Sequence, residues 1–151
     1  MNSLYERDFY SWTCQQAKLL KEGKLNELDI ENLLEEVETM GRSEYKTLKN
    51  CLKQLLLHLL KWQKQSQNKD GMHDINEWYR SWKVTVNTQR FDVEEELEEN
   101  PGLQPKLDEI LVKAYQNARR KAADDLRCHV KDFPTECPWT YKQIMTKDWL
   151  P

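Results

Sequence analysis

Between Asp29 and Trp62 the apolar positions fall at Ile30, Leu34, Val37, Gly41, Tyr45, Leu48, Leu52, Leu55, Leu59 and Trp62. Steps of three and four alternate without a slip, which is one apolar stripe along an α-helix. A continuous helix of that length spans roughly 50 Å, and the rest of the chain is expected to organise around it. Gly41 interrupts the pattern, because glycine in a helix interior costs about 1 kcal/mol against alanine. Either one helix ends there and Ser43 starts another, or a single helix runs from about 29 to 64 and Gly41 admits a neighbouring backbone or large ring. The phase of the stripe survives across Gly41, which favours the single helix.

Upstream, Ser3 with Glu6 has the spacing of a capping box. Tyr5, Phe9, Trp12 and Leu19 or Leu20 then share a face, and Gly23 offers a C-terminal stop, so a first helix is expected over 4–21. Asp29 is a good N-cap for the central helix. The polar run 63–71 reads as the main loop. Asp74 with Glu77 repeats the capping-box spacing, and Ile75, Tyr79, Trp82, Val86, Val93 and Leu97 carry a helix over 74–99. Asn100-Pro101-Gly102 stops it. Pro105 suits an early helical position, and Leu107, Leu111, Ala114, Ala118 and Ala122 form a fourth face as far as Leu126. Phe133-Pro134 and Cys137-Pro138 force extended chain, since a residue before proline avoids helical geometry. Thr140 caps a short helix ending near Met145. Nothing alternates like a strand for more than a few residues. The expectation is an all-α, antiparallel bundle of four main helices with a short C-terminal helix, in a single domain of residues 1–151.

Composition narrows the function classes. The formal net charge of −3 gives no basic footprint for nucleic acid. No apolar run approaches the ~18 residues of a membrane span, and the N-terminus lacks a signal-peptide layout, so a cytoplasmic protein is expected. Cys14, Cys51, Cys128 and Cys137 show no CxxC spacing and read as reduced, mostly buried thiols.

Candidate chemistry is sparse. Glu35, Glu36, Glu38 and Glu44 with His58 are residue types that bind iron, manganese or zinc from bundle helices, but the Glu-x-x-His pair of di-metal bundles is absent. At about 100° per residue Glu35 points away from the stripe, Glu36 and Glu38 flank it, and Glu44 lies near its centre. His58 sits at the stripe's edge, ~20 Å beyond Glu44 on a continuous helix. A carboxylate in an apolar seam needs a partner. Gln89 and Arg90 fall on and beside the next stripe, so Glu44–Arg90 is a candidate buried pair, either fixing helix register or belonging to an anion pocket. Glu36, Glu44, His58 and Arg90 therefore form the candidate polar cluster. Trp62 and Trp82 read as core, whereas Trp78 is the candidate aromatic surface. Cys128, His129 and Cys137 make only a fragment of a zinc site. The glutamates of 94–99 read as a solvated face that opposes the helix dipole, to be relieved by a basic partner or by Arg119-Arg120-Lys121. No phosphate-cradling glycine loop and no GxSxG elbow occurs.

YERDFYSW at 5–12, LDIENLLEEVETMGRSE at 28–44, HLLKW at 58–62, SW at 81–82 with QR at 89–90, FPTECPWT at 133–140 and the closing LP resemble a bacterial, largely cyanobacterial family called domain of unknown function 29. The matching stretches span nearly the whole chain in the family's order; the chain departs mainly around 63–77, where its loop looks longer. The resemblance implies a small helical bacterial protein and transfers no catalytic residue. Two readings follow. One is a non-catalytic interaction or scaffold module that docks a protein partner or a second copy, with no cofactor, nucleic acid or membrane. The other is a metal- or small-anion-binding protein, or an enzyme, using the Glu/His/Arg cluster.

Overall fold

The computed structural model describes residues 3–67 and 75–151. The helices are α1 (Leu4–Arg7), α2 (Phe9–Lys21), α3 (Ile30–Ser66), α4 (Ile75–Glu99), α5 (Leu107–Asp125) and α6 (Tyr141–Ile144), with short 3-10 turns between several of them. No strand occurs among the described residues. The class expected from the periodicity, an all-α helical bundle, is the one found. The chain groups into two compact units, residues 1–43 and 44–151, and α3 passes through the boundary.

In the first unit the expected helix over 4–21 is broken at Asp8, whose backbone leaves the helical region (φ −150°, ψ 84°). The break has a cause: the Asp8 carboxylate accepts from the Ser11 backbone N–H at 3.1 Å and the Ser11 hydroxyl at 2.6 Å, so it caps α2 instead of continuing α1. Ser3, expected as the cap, makes no side-chain capping bond. Gly23 does close α2. Its positive φ of 72° allows Lys24 N–H to reach Leu19 O and Gly23 N–H to reach Leu20 O.

Asp29 caps α3 as expected, accepting from Asn32 N–H at 3.4 Å and from the Asn32 side chain at 2.8 Å. It also takes the Trp12 indole N–H at 3.0 Å, while its own N–H donates to Gln16 Oε1. Farther along, the Tyr5 hydroxyl donates to Glu36 at 2.5 Å. Successive partners 16, 12 and 5 meet 29 and then 36, so α1 and α2 run antiparallel to the first turns of α3.

In the second unit, α3 from Leu48 onward, α4 and α5 build the core. Leu48, Leu52, Leu55, Leu56, Leu59, Leu60, Val86, Val93, Ile110 and Tyr115 are buried in one cluster, with Ala114, Ala118 and Ala122 giving α5 a small-residue face. Phe133, Trp139 and Ile144 from the C-terminal segment close the cluster. The helix expected over 74–99 is α4, though the Asp74–Glu77 capping box lies outside the described residues. The loop expected at 63–71 is partly corrected, because α3 continues to Ser66. Pro105 falls in a 3-10 turn, Pro101–Lys106, ahead of α5 rather than inside it. Thr140 and Gln143 form a reciprocal capping box on α6, as expected.

Candidate functional site

Helix α3 is continuous through Gly41, but the reason offered for that glycine fails. Gly41 is exposed, and a Cβ there would meet nothing within 4 Å. The stripe itself is buried only from Leu48. Ile30, Leu34, Val37 and Met40 are each more than half exposed. The cause is directional. Asp29, Asn32, Leu33 and Glu36 share the side of α3 that receives Tyr5 and Trp12, and the row Ile30–Leu34–Val37–Gly41 is turned from it by about 120°. Glu31 and Glu38 border the row. Arg42 reaches Glu35 at 3.4 Å and Glu38 at 3.7 Å, whereas Glu31 has no ion-pair partner among the described residues. Between residues 29 and 45 there are five carboxylates besides Glu44 and a single basic residue, Arg42. The result is a bare apolar strip with an acidic margin.

The four residues of the candidate polar cluster each have their own partners. Glu36 holds the Tyr5 hydroxyl, and that bond, with the glutamate's charge, pushes the phenol up to about 12. Glu44 is exposed and accepts from Asn100 Nδ2 at 3.3 Å, so it lies outside the apolar seam. The Glu44–Arg90 pair does not form. Arg90 is 3% exposed, and its guanidinium is spent on two main-chain carbonyls and one side chain: Nε donates to Ile144 O at 2.6 Å, Nη2 to Trp149 O at 2.6 Å, and Nη1 to Asn87 Oδ1 at 2.9 Å. Burial lowers its pKa, and the Asp148 charge partly offsets this. Asn87 in turn donates to Asp148 at 2.8 Å and accepts the Asp148 N–H at 3.1 Å. Trp62 Nε1 donates to Pro151 O at 3.0 Å. Arg90 and Trp62 thus latch the C-terminal segment through its carbonyls, and Asn87 through the carboxylate and N–H of Asp148.

His58 faces a cleft of its own. A cleft of about 400 Å³ is lined by His58, Lys61, Gln65, Ser81, Trp82, Thr85, Asp125 and Leu126. Lys61 and Asp125, both about three-quarters buried, pair at 2.6 Å, and Lys121 adds a second bond to Asp125 at 3.0 Å. Lys61 first, then Lys121, hold the Asp125 carboxyl below its ordinary range. His58 Nδ1 lies 2.8 Å from Gln54 O and 2.9 Å from Gln89 Nε2. One ring nitrogen cannot donate to a carbonyl and accept from an amide at once. Donation to Gln54 O leaves Nε2 as the acceptor nitrogen, and turning the Gln89 amide over removes the clash.

Trp62 is buried and Trp82 half-buried, as expected of core residues; Trp82 also walls the His58 cleft. Trp78 is half-buried and stacks on Trp62 at 4.6 Å, so it belongs to that aromatic cluster more than to an open surface. The four cysteines are free thiols, but the expectation of burial fails: Cys14 is exposed and the others are half-buried. No three His, Cys, Asp or Glu side chains are grouped to hold a metal among the described residues. The glutamate run is not evenly solvated. Glu96 is half-buried, and burial, then Glu44 and its neighbours, raise its pKa. Among the described residues Arg119, Arg120 and Lys121 bond Phe133 O, Asn117 and Asp125 rather than the run. No described helix is long and apolar enough to cross a membrane.

The model of a family described as "Domain of unknown function DUF29" matches residues 4–150. No curated protein and no solved structure matches the chain.

Proposed function

We propose, from the premise that the chain belongs to the domain of unknown function DUF29 family, that it is a protein-interaction module. Its docking face is the exposed row Ile30, Leu34 and Val37, with exposed Met40 at its edge. That row is the observation that carries the reading, because exposed apolar residues aligned along one helix mark a docking surface rather than scattered surface chemistry. The acidic margin selects the occupant. A second copy laid along the strip would bring carboxylates against carboxylates, whereas an amphipathic helix with lysine or arginine beside its apolar stripe would meet opposite charge. The partner is therefore a protein carrying a basic amphipathic segment. The bacterial and cytoplasmic setting belongs to the same proposal.

Two peptides of about 18 residues, with identical leucine stripes flanked by lysine in one and glutamate in the other, provide the test. Fluorescence anisotropy should show binding of the lysine peptide only. The double variant L34D/V37D should abolish it with no change in Tm. Binding of neither peptide overturns the reading, and a dimer that the same variant dissociates would assign the strip to self-association.

A second reading, ligand binding or catalysis, draws on His58 beside the buried Lys61–Asp125 pair. Native mass spectrometry of the protein from its own host separates the two: a stoichiometric small molecule lost on His58→Ala favours the cleft.

A further inference from the structure

A second cavity, of about 690 Å³ and open to solvent, lies against the last turns of α5. Its charged lining is Lys53 from α3, Arg120 and Lys121 from α5, and Arg127 just beyond it, against one carboxylate, Asp124. Lys121 is engaged by Asp125, and Arg120 gives one N–H to Asn117. The Lys53 ammonium and the Arg127 guanidinium have no hydrogen-bond or ion-pair partner among the described residues. Cations that outnumber the carboxylates in one concavity repel each other, and the cost is relieved when an anion enters.

The backbone of Arg127 adds a separate observation. α5 closes as α2 does: Cys128 N–H reaches Ala123 O at 3.0 Å and Arg127 N–H reaches Asp124 O at 3.3 Å. That closure needs a left-handed residue. At the end of α2 it is Gly23, with φ 72°; at the end of α5 it is Arg127, with φ 53°. Arginine has a Cβ that glycine lacks, so it is strained where glycine is not. The helix end does not require this side chain, since glycine would serve the closure better. What the side chain adds is a guanidinium at the cavity.

We infer that this cavity is a binding site for a small, multiply charged anion, held by Lys53, Arg120 and Arg127. Phosphate groups and clustered carboxylates share the chemistry that guanidinium forks clasp. The size of the cavity and the chain's net negative charge favour a small molecule over a nucleic acid. The site is independent of the α3 docking strip.

Arg127→Gly makes the decisive test, because it removes the guanidinium while relieving the backbone. Titration calorimetry with sodium tripolyphosphate and with citrate, at physiological ionic strength, should show binding of at least one, and which one names the source. R127G should melt at or above the temperature of the unaltered protein, yet bind about tenfold more weakly, as should Lys53→Gln. Absence of binding by both anions overturns the inference. So does undiminished affinity in R127G, or binding of a single-stranded RNA in preference to both small anions.

Discussion

The guanidinium of Arg90 and the backbone of Trp149 are joined by a 2.6 Å hydrogen bond from Nη2, with Nε meeting Ile144 O at the same distance. A buried arginine has thus been given carbonyls where the apolar seam suggested a carboxylate. The charge is met by several oriented dipoles and by the nearby Asp148.

Removing the fork leaves two buried carbonyls without donors, each costly to desolvate. Arg90→Ala is expected to destabilise the protein by about 3 kcal/mol. Arg90→Lys should recover only part of this, because one ammonium cannot reproduce the fork. Denaturant unfolding measures both, and limited proteolysis should show cleavage after α6 in R90A first. Unchanged stability in R90A would show that the latch holds nothing.

Gly41 has helical neighbours on both sides, and a Cβ added there would meet nothing within 4 Å. Gly41→Ala should therefore stabilise α3 by about 1 kcal/mol. On the same helix, Leu34→Asp should alter stability by no more than about 0.5 kcal/mol, whereas Leu55→Ala should cost about 2–5 kcal/mol. Thermal and urea denaturation of the three variants would check the order.

Tyr5 is held neutral by Glu36, with its pKa raised from 10.0 to about 12. A folded-state pKa above the unfolded value contributes stability that is complete below pH ~10 and lost as pH rises toward ~12. Alkaline titration followed by tyrosinate absorbance should place Tyr5 among the last phenols to ionise, with Tyr115, which burial also pushes up to about 12. Tyr5→Phe should flatten the alkaline fall in Tm. A profile identical to that of the unaltered protein would disprove the coupling.

Glu96 presents the opposite sign. Its pKa is raised by burial and then by Glu44, so the folded state favours the protonated acid and stability falls as pH rises above the ordinary glutamate range. Its Oε2 is buried without a hydrogen-bond partner among the described residues. Glu96→Gln should raise Tm at neutral pH and leave it nearly unchanged below pH ~4. A lower Tm at neutral pH would mean that the carboxylate is satisfied.

Local signals were the legible ones. Gly23, Asp29, Asn100-Pro101 and Thr140 act through their own backbone geometry and capping groups, and each ends or starts a helix where its chemistry says. Periodicity carried the helices but not their covering. Ile30, Leu34 and Val37 continue the phase of Leu48 and Leu52, yet phase cannot tell whether another element lies over a stripe. Glu44 was misplaced for the same reason. Arg90 was expected to be paired, which is right, but its partners are main-chain carbonyls, and carbonyls leave no mark in a sequence. Of the candidate polar residues His58 lines the cleft that also holds Lys61 and Asp125, which are separated by more than sixty residues and had no motif to join them. Arg127 carried one cue in retrospect: no glycine or asparagine follows α5 where its closure needs a left-handed residue.

From Leu55 to Leu60 helix α3 buries five leucines spread over more than half of its circumference, while Ile30, Leu34, Val37 and Met40 of the same helix lie largely bare. Backbone hydrogen bonds of one unbroken ladder therefore live in two kinetic regimes. Amide protons around Leu56 should exchange with solvent only when the whole second unit opens, and those around Val37 through brief local fraying. The helix is thus graded along its length, from a slow-exchanging anchor to a segment that breathes, and the breathing end is the one that carries the strip.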